Sequence, residues 1–412
     1  MKLLIITEYY PPTIMGGGET NIALVAAALA KQGVDVSVLT SHQGSLPKYE
    51  RKDDVQVYRR LTTGNNPGSI SSNLKRSTVY PKSVIKEATT LAEEKQFDRI
   101  HFIGNSILAA KELRKLGIPL VATIESYIAL CPKGDRMYHG KSECTLQCSM
   151  KEFLSCQKNS TEIGKMRNSA LLKYNPAALT YLYNHYKKLN KSLQYCNLIA
   201  ISEYIRNLLL QHGHQSTVIP NAIDVDKFNL SPAKENTPMN VLYLGAFIRS
   251  KGPHILLDAI KGVDCQLDMY GKGNMKDALQ KRITEKGYNA TIHDPVLYDK
   301  IPQIYANADV IVFPSMWPEP FGRIAIEAMA AGKPIIGSAI GGINETIADG
   351  CGITVEPGNV DQLRDALRIL QHDPELRNIM GKKGKIAVTQ YKEETVIETL
   401  IAYYQTLPPV IK

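Results

Sequence analysis

The 412-residue chain is short of several things that mark the large protein classes. No apolar run reaches the ~18 residues a membrane-spanning helix needs. The opening MKLLIITEYYPP offers four consecutive apolar residues after one lysine, too few for the core of a secretion signal. Seven cysteines are sparse for this length and odd in number, so a reducing cytosol is the expected setting and a disulfide scaffold is excluded. Also missing is the dinucleotide fingerprint. Gly16-Gly17-Gly18 lacks a third glycine in the G-x-G-x-x-G register, and the second strand ends in Thr40-Ser41 instead of an acid. These absences leave a cytoplasmic globular protein, with peripheral membrane contact as the furthest departure from free solution.

What is present is 44% apolar and 22% charged, enough for two domains with cores of their own. The net charge of +9 is lopsided. Residues 1–197 carry 27 Lys and Arg against 16 Asp and Glu, whereas 198–412 carry 22 against 24. The first half therefore calls for an anionic partner. No nucleic-acid motif accompanies that charge, so nucleic acid is not an expected partner.

Both halves alternate apolar strands with helices, the pattern of parallel sheets covered on both faces. Leu3-Leu4-Ile5-Ile6 opens the first series and Asn240–Leu244 the second. The expected fold class is α/β, with two doubly wound, Rossmann-like domains facing across a cleft. The boundaries read as 1–197, 198–390 and a terminal helix in 391–412 packing back towards the first domain. An insert at 125–195 breaks the alternation. It holds Cys131, Cys144, Cys148 and Cys156, then a basic, tyrosine-rich stretch with 8 Lys and Arg against 2 Glu between Lys151 and Lys191. Leu179, Leu182, Tyr186, Leu189 and Leu193 recur at helical spacing, with Lys187, Lys188 and Lys191 opposite. That one-sided charge suits an anionic membrane surface or a phosphorylated lipid. The cysteine spacing is irregular, unlike the tight paired turns of ordinary zinc sites. Buried apolar thiols are preferred to a structural metal there.

The stretch 309–334, DVIVFPSMWPEPFGRIAIEAMAAGKP, carries the chemistry. A buried strand ends at Pro314, a loop holds Glu319, and a helix begins near Phe321-Gly322. Ligands of doubly wound sheets lie beyond the carboxyl ends of the strands. Backbone N–H groups of Phe321, Gly322 and Arg323 favour an anion at the helix start, and a glycine lets it approach. Glu327 lies eight residues on, at ~1.5 Å rise per helical residue on the order of 10 Å from Glu319. The spacing suits carboxylates holding the two ends of a nucleotide-sugar. Asp224-Val225-Asp226 superficially resembles a Mg²⁺-binding pair, but it follows a turn with no strand delivering it, and a structural role is preferred.

The EPFG…EAMAAGKP stretch resembles the signature of family-4 retaining glycosyltransferases with the two-domain glycosyltransferase-B (GT-B) fold. Four further motifs fall in the family's order: PP…GGGE (Pro11, Pro12, Gly16 to Glu19), VIPNAID with Phe228, YLGAFIRSKG, and GGINE at Gly341–Glu345. The resemblance implies transfer of a sugar, with retained configuration, from a nucleoside-diphosphate sugar to a glycan or lipid-linked acceptor hydroxyl. Cell-surface glycan, glycolipid or polysaccharide synthesis is the setting it suggests. It assigns Glu319 to the donor sugar, Glu327 to the ribose, Lys251 with Arg249 to the pyrophosphate, and Gly17 to close approach of the phosphate. No cofactor or catalytic metal is implied. Two positions depart from the family pattern: Ala246 stands where arginine is common, and Glu125-Ser126 where His-Asp is usual. Glu125 then becomes the candidate acceptor-side group. The alternatives are a nucleotide-sugar epimerase of the same fold and a glycan-pathway partner with impaired catalysis.

Overall fold

The computed structural model describes residues 1–14, 17–64, 70–145, 147–160, 175–230, 237–347 and 350–408. The chain divides into two compact units, Met1–Ala222 with Val396–Lys412, and Ile223–Thr395.

The first unit contributes β1 (Lys2–Ile6), β2 (Asp35–Ser41), β3 (Tyr49–Lys52), β4 (Val55–Leu61), β5 (Arg99–Ile103), β6 (Leu120–Ile124), the short pair β7 (Met137–Tyr138) and β8 (Ser142–Glu143), β9 (Asn197–Ala200) and β10 (Ser216–Val218). Eight of them form one sheet in the order β10-β9-β6-β5-β1-β2-β4-β3. All neighbours are parallel except β3 against β4. The chain works outward from β1 through β2 to β4, then crosses back to β5. The strand order thus reverses between β1 and β5, paired Leu3 to Arg99 and Ile6 to Phe102. Leu3, Ile5, Val36, Val38, Val55 and Val57 bury one face of this sheet against Ile22, Ala26 and Leu29 of the helix Gly17–Lys31. Each such side chain contributes about 1.5–3 kcal/mol on leaving water.

The boundary expected at 197/198 lies inside this unit. Asn197–Ala200 pairs with Val121–Ile124, and Ser216–Val218 then pairs with Leu198–Ala200, so the first sheet closes only beyond Val218. A strand followed by a helix reads alike whether it ends one sheet or begins another; only its pairing partner decides. The last helix, Glu393–Thr406, places Val396, Ile397, Leu400 and Tyr404 in the first unit's core. Arg99 donates to the carbonyls of Tyr404 and Leu407, at 2.9 and 2.7 Å, answering acceptors that every helix end leaves open.

The second unit holds β11 (Met239–Leu244), β12 (Cys265–Tyr270), β13 (Ala290–His293), β14 (Val310–Phe313), β15 (Ile335–Ser338) and β16 (Gly352–Val355). They form a wholly parallel sheet in the order β13-β12-β11-β14-β15-β16, reversing between β11 and β14. Strand β16 and the helices Val360–His372 and Pro374–Ala387 are missing from the sequence reading. The helices carry legible starts. Asn359 accepts from the Gln362 N–H, and Asp373, with Pro374 behind it, accepts from the Leu376 N–H.

The insert folds as the β7–β8 hairpin, a helix Met150–Asn159 opened by a Ser149/Glu152 capping box, and a helix Pro176–Leu193 opened by Asn175. Leu179, Tyr186, Leu189 and Leu193 are buried, while Lys187, Lys188 and Lys191 are exposed. Residues 161–174 of the basic stretch, and Gly16 of the glycine run, lie outside the described residues. Among the described residues no helix is long and apolar enough to cross a membrane.

The buried His101 and the partly buried His185 and His212 are expected to make the first unit sensitive to acid. His101 lies within 2.6 Å of the Tyr404 hydroxyl and 2.7 Å of the Thr123 hydroxyl, and burial pushes its pKa down to about 3. Burial also lowers His185 and His212 to about 4. Between these values and the ordinary 6.5 the unfolded chain binds the proton and the folded chain does not. The stability conferred by the neutral rings is complete above about pH 6.5 and is lost as pH falls towards 4 and below. Urea midpoints measured from pH 7 down to pH 4 are expected to fall, and His101→Gln to flatten that slope. A midpoint independent of pH would contradict the assignment.

Candidate active site

In the second unit the loops after β11 and β14 meet at the point where strand order reverses, the place where open α/β sheets bind ligands. Lys251 closes a single 3-10 turn, Arg249–Lys251, after β11. Glu319 follows β14. The two loops are joined by backbone, since the N–H groups of Met316 and Trp317 both donate to the Ser250 carbonyl, at 2.8 and 3.0 Å. Gly252 makes this closeness possible. Its φ is +70°, and a Cβ there would stand 1.9 Å from the Pro314 carbonyl oxygen.

Lys251 Nζ forms an ion pair with Glu319 Oε1. Ser315 Oγ donates to the same oxygen at 3.1 Å, and the ammonium lies 4.4 Å from the centre of the Trp317 ring. Glu319 is 7% exposed. Its backbone is tied to the GGINE turn, because the Gly342 N–H donates to its carbonyl at 2.7 Å. A buried, paired carboxylate on a loop is therefore held in one place by side chain and backbone together.

Glu327, 6% exposed, sits on the helix Arg323–Ala330. Three donors fix its carboxylate: the Tyr305 hydroxyl at 3.0 Å, the Tyr298 hydroxyl at 3.2 Å and Arg323 Nε at 3.0 Å. Burial first, and then the Glu327 charge, push Tyr298 up to about 12 and Tyr305 well above the usual phenol range, so both remain donors at neutral pH. A carboxylate offers about four lone-pair directions, which leaves Glu327 one to spare for a ligand hydroxyl. Gly322 caps this helix at φ 94°. An α-helix leaves its first N–H groups without an internal partner, so the turn at Phe321, Gly322 and Arg323 is a place for an anion. The Phe321 side chain packs edge-on against Tyr391 in the interior, so only its backbone bears on that role.

Of the residues expected here, the structure brings Lys251 and Glu319 into direct contact and sets Phe321, Gly322, Arg323 and Glu327 in consecutive turns beside them. Arg249 is on the same 3-10 turn but exposed, and Ala246 is likewise exposed. Asp224 pairs with Lys227 at 3.1 Å at the surface, in keeping with a structural role.

The first unit has its own crevice where its strand order reverses, a cavity of about 410 Å³. Glu125 lines it from the end of β6 and accepts from Asn21 Nδ2 at 3.3 Å. Gly17 opens the helix Gly17–Lys31. The cavity also holds a cluster that the sequence reading overlooks. Glu8, 6% exposed, follows β1 and takes both arms of Arg76, at 2.6 and 2.7 Å. Thr63 and Asn105 donate to it as well, at 2.5 and 3.1 Å. Its signal in the sequence is weak, an acid one residue past an apolar strand, because its partners come from 55, 68 and 97 positions away.

Two α/β units, each with a sheet whose strand order reverses at a switch point, are the parts of the GT-B architecture. Residues 15–227 match the family model "Glycosyltransferase Family 4" and residues 224–387 match "Glycosyl transferases group 1". The chain belongs to glycosyltransferase family 4. It is 26% identical to the uncharacterized glycosyltransferase MJ1607 of Methanocaldococcus jannaschii, across 98% of both chains. With a second relative from that organism, MJ1178, it is 28% identical over 51% of this chain and 59% of the relative. Among solved structures it resembles sucrose-phosphate synthase from Thermosynechococcus elongatus (TM-score 0.74, 20% identity, 98% of both chains). It also resembles Anabaena HepE in complex with UDP and glucose (TM-score 0.68, 20% identity, 99% of this chain and 100% of that one).

Replacing Gly252 tests the packing that joins the two loops. Gly252→Ala forces a left-handed residue to carry a Cβ into the Pro314 carbonyl. It is expected to cost at least ~2 kcal/mol, read as a lowered urea midpoint at unchanged slope. An unchanged midpoint would refute the described approach of these loops.

Proposed function

We propose that the protein is a retaining glycosyltransferase that moves a sugar from a nucleoside-diphosphate sugar to an acceptor hydroxyl of a glycan or lipid-linked molecule. The single observation carrying this reading is the Lys251–Glu319 pair, its carboxylate buried, at the switch point of the second unit, with Glu327 fixed on the adjoining helix. In this reading Lys251, assisted by Arg249, takes the diphosphate, and the helix start at Phe321–Arg323 adds its N–H groups. Glu319 accepts from hydroxyls of the donor sugar and Glu327 from the ribose. Gly17, at the start of its helix, lets a phosphate come close to the backbone. That HepE has been solved with UDP and glucose supports a donor of this kind.

The barrier to such a transfer is charge separation, an oxocarbenium-like sugar departing from an anionic diphosphate. A fixed ammonium and oriented N–H groups stabilise the leaving phosphate without reorganising, and removing one such group costs ~2.7–4 kcal/mol. The departing phosphate oxygen takes the acceptor's proton on the face from which the sugar is approached, which preserves the anomeric configuration. Since the cationic role belongs to side chains, the proposed reaction is independent of a divalent ion. The acceptor is assigned to the first-unit cavity, with Glu125 nearest in chemistry to a base or a hydroxyl anchor.

A thermal-shift panel of nucleoside diphosphates and their sugars is expected to show one base raising the melting temperature by mass action. With that donor, Glu319→Ala is expected to abolish transfer and Lys251→Ala to lower kcat about 10²–10³-fold. NMR of the product should show the donor's anomeric configuration. Conversion of the nucleotide-sugar without any acceptor would favour the epimerase instead, and transfer undiminished in Glu319→Ala would defeat the site assignment.

The exposed Lys187, Lys188 and Lys191 on the helix Pro176–Leu193 support peripheral contact with an anionic membrane on the cytoplasmic side. Co-sedimentation with anionic vesicles should fall in a K187E/K188E/K191E variant. Equal binding to zwitterionic vesicles would remove this part of the reading.

A further inference from the structure

The insert after β6 gathers four thiols round one small hollow. Cys131 lies six residues beyond Glu125, and its sulfur accepts the backbone N–H groups of Arg136, Asp135 and Lys133. The β7–β8 hairpin then turns the chain back, so that the Cys144 N–H donates to the Arg136 carbonyl at 2.7 Å. Cys148 precedes the capping serine of the helix Met150–Asn159. Cys156, on that helix, takes the His139 N–H on its sulfur at 3.3 Å. All four line one cavity of about 20 Å³, room for a single water or a small ion.

The lining is not that of an apolar thiol cluster. Cys144 and Cys148 are only half-buried, which corrects the expectation of four buried apolar thiols. Lys133 and Arg136 line the same cavity, 4% and 3% exposed, with Lys133 Nζ 3.7 Å from Cys156 Sγ and 3.2 Å from Asp135. Backbone N–H donors and the side chains of Lys133 and Arg136 surround these sulfurs, an arrangement suited to sulfur that carries charge.

We propose that Cys131, Cys144, Cys148 and Cys156 form a tetrathiolate site for one structural Zn²⁺. Zinc takes four thiolates in a closed tetrahedron, and the resulting net charge of about −2 is what Lys133, Arg136 and the N–H groups offset. Among the described residues no three such side chains are gathered closely enough to hold an ion as they stand. Binding therefore releases the thiol protons and draws the sulfurs inward, the usual coupling of metal uptake to local folding. The twelve residues between Cys131 and Cys144, which look too many for a zinc turn in the sequence, are taken up by the hairpin. The ion would staple hairpin and helix to the strand end that bears Glu125, whatever donor the second unit takes.

The full-length protein, purified without chelator from zinc-replete cells, is expected to hold about one zinc per chain, released by a thiol-blocking mercurial. Exchange with Co²⁺ should give an intense sulfur-to-cobalt charge-transfer band and the visible bands of a tetrahedral thiolate site. Cys148→Ser should lose or shift that band, whereas Cys265→Ser and Cys351→Ser should keep it. Should the cysteine variants fail to fold, the wild-type spectrum still decides. Zinc below about a tenth of an ion per chain, with no cobalt–thiolate band after added Co²⁺, would overturn the proposal.

Discussion

A lysine and a glutamate held together where two parallel strands diverge are the constraint on which the site depends. Taking the Glu319 carboxylate out of water costs free energy that its attraction to the partly exposed Lys251 only partly returns. A pair of apolar side chains would stabilise the same crevice at least as well. The Lys251–Glu319 pair is thus poor evidence of a stability device and better evidence of a poised one. Ser315 donates to the carboxylate and the Trp317 ring lies against the ammonium, which holds the pair in place.

The backbone around the pair explains why it can be so fixed. Ser250 carries the N–H groups of the β14 loop, Gly252 lets that loop touch the 3-10 turn, and the GGINE turn fastens Glu319 from behind. Three sequence motifs that lie far apart in the chain become one cradle because β11 and β14 are neighbours in the sheet. Glu327 is positioned differently, by two tyrosines whose burial keeps them protonated and by Arg323 one helical turn back. One carboxylate is held on a loop by charge and the other on a helix by neutral donors, which suits them to different parts of one ligand.

Much of this was legible from residue order alone. Apolar runs, glycine breaks and the EPFG…EAMAAGKP stretch located both sheets and the pairing of loop and helix, since these depend on neighbours in sequence. What escaped depends on distant partners. Asn197–Ala200 read as the start of a new domain because its strand mate, Val121–Ile124, is some seventy residues upstream. Glu8 went unread because Thr63, Arg76 and Asn105, which close on it, come from far along the chain. The cysteines looked irregular because a two-stranded hairpin shortens their separation in space and not in sequence.

The most direct test of the central claim is a crystal structure of the protein bound to a nucleoside diphosphate. The account predicts the diphosphate against Lys251 and the N–H groups of Phe321–Arg323, with the ribose hydroxyls on Glu327. A nucleotide seated elsewhere, or one bound there with Lys251 and Glu327 turned away from it, would contradict the account.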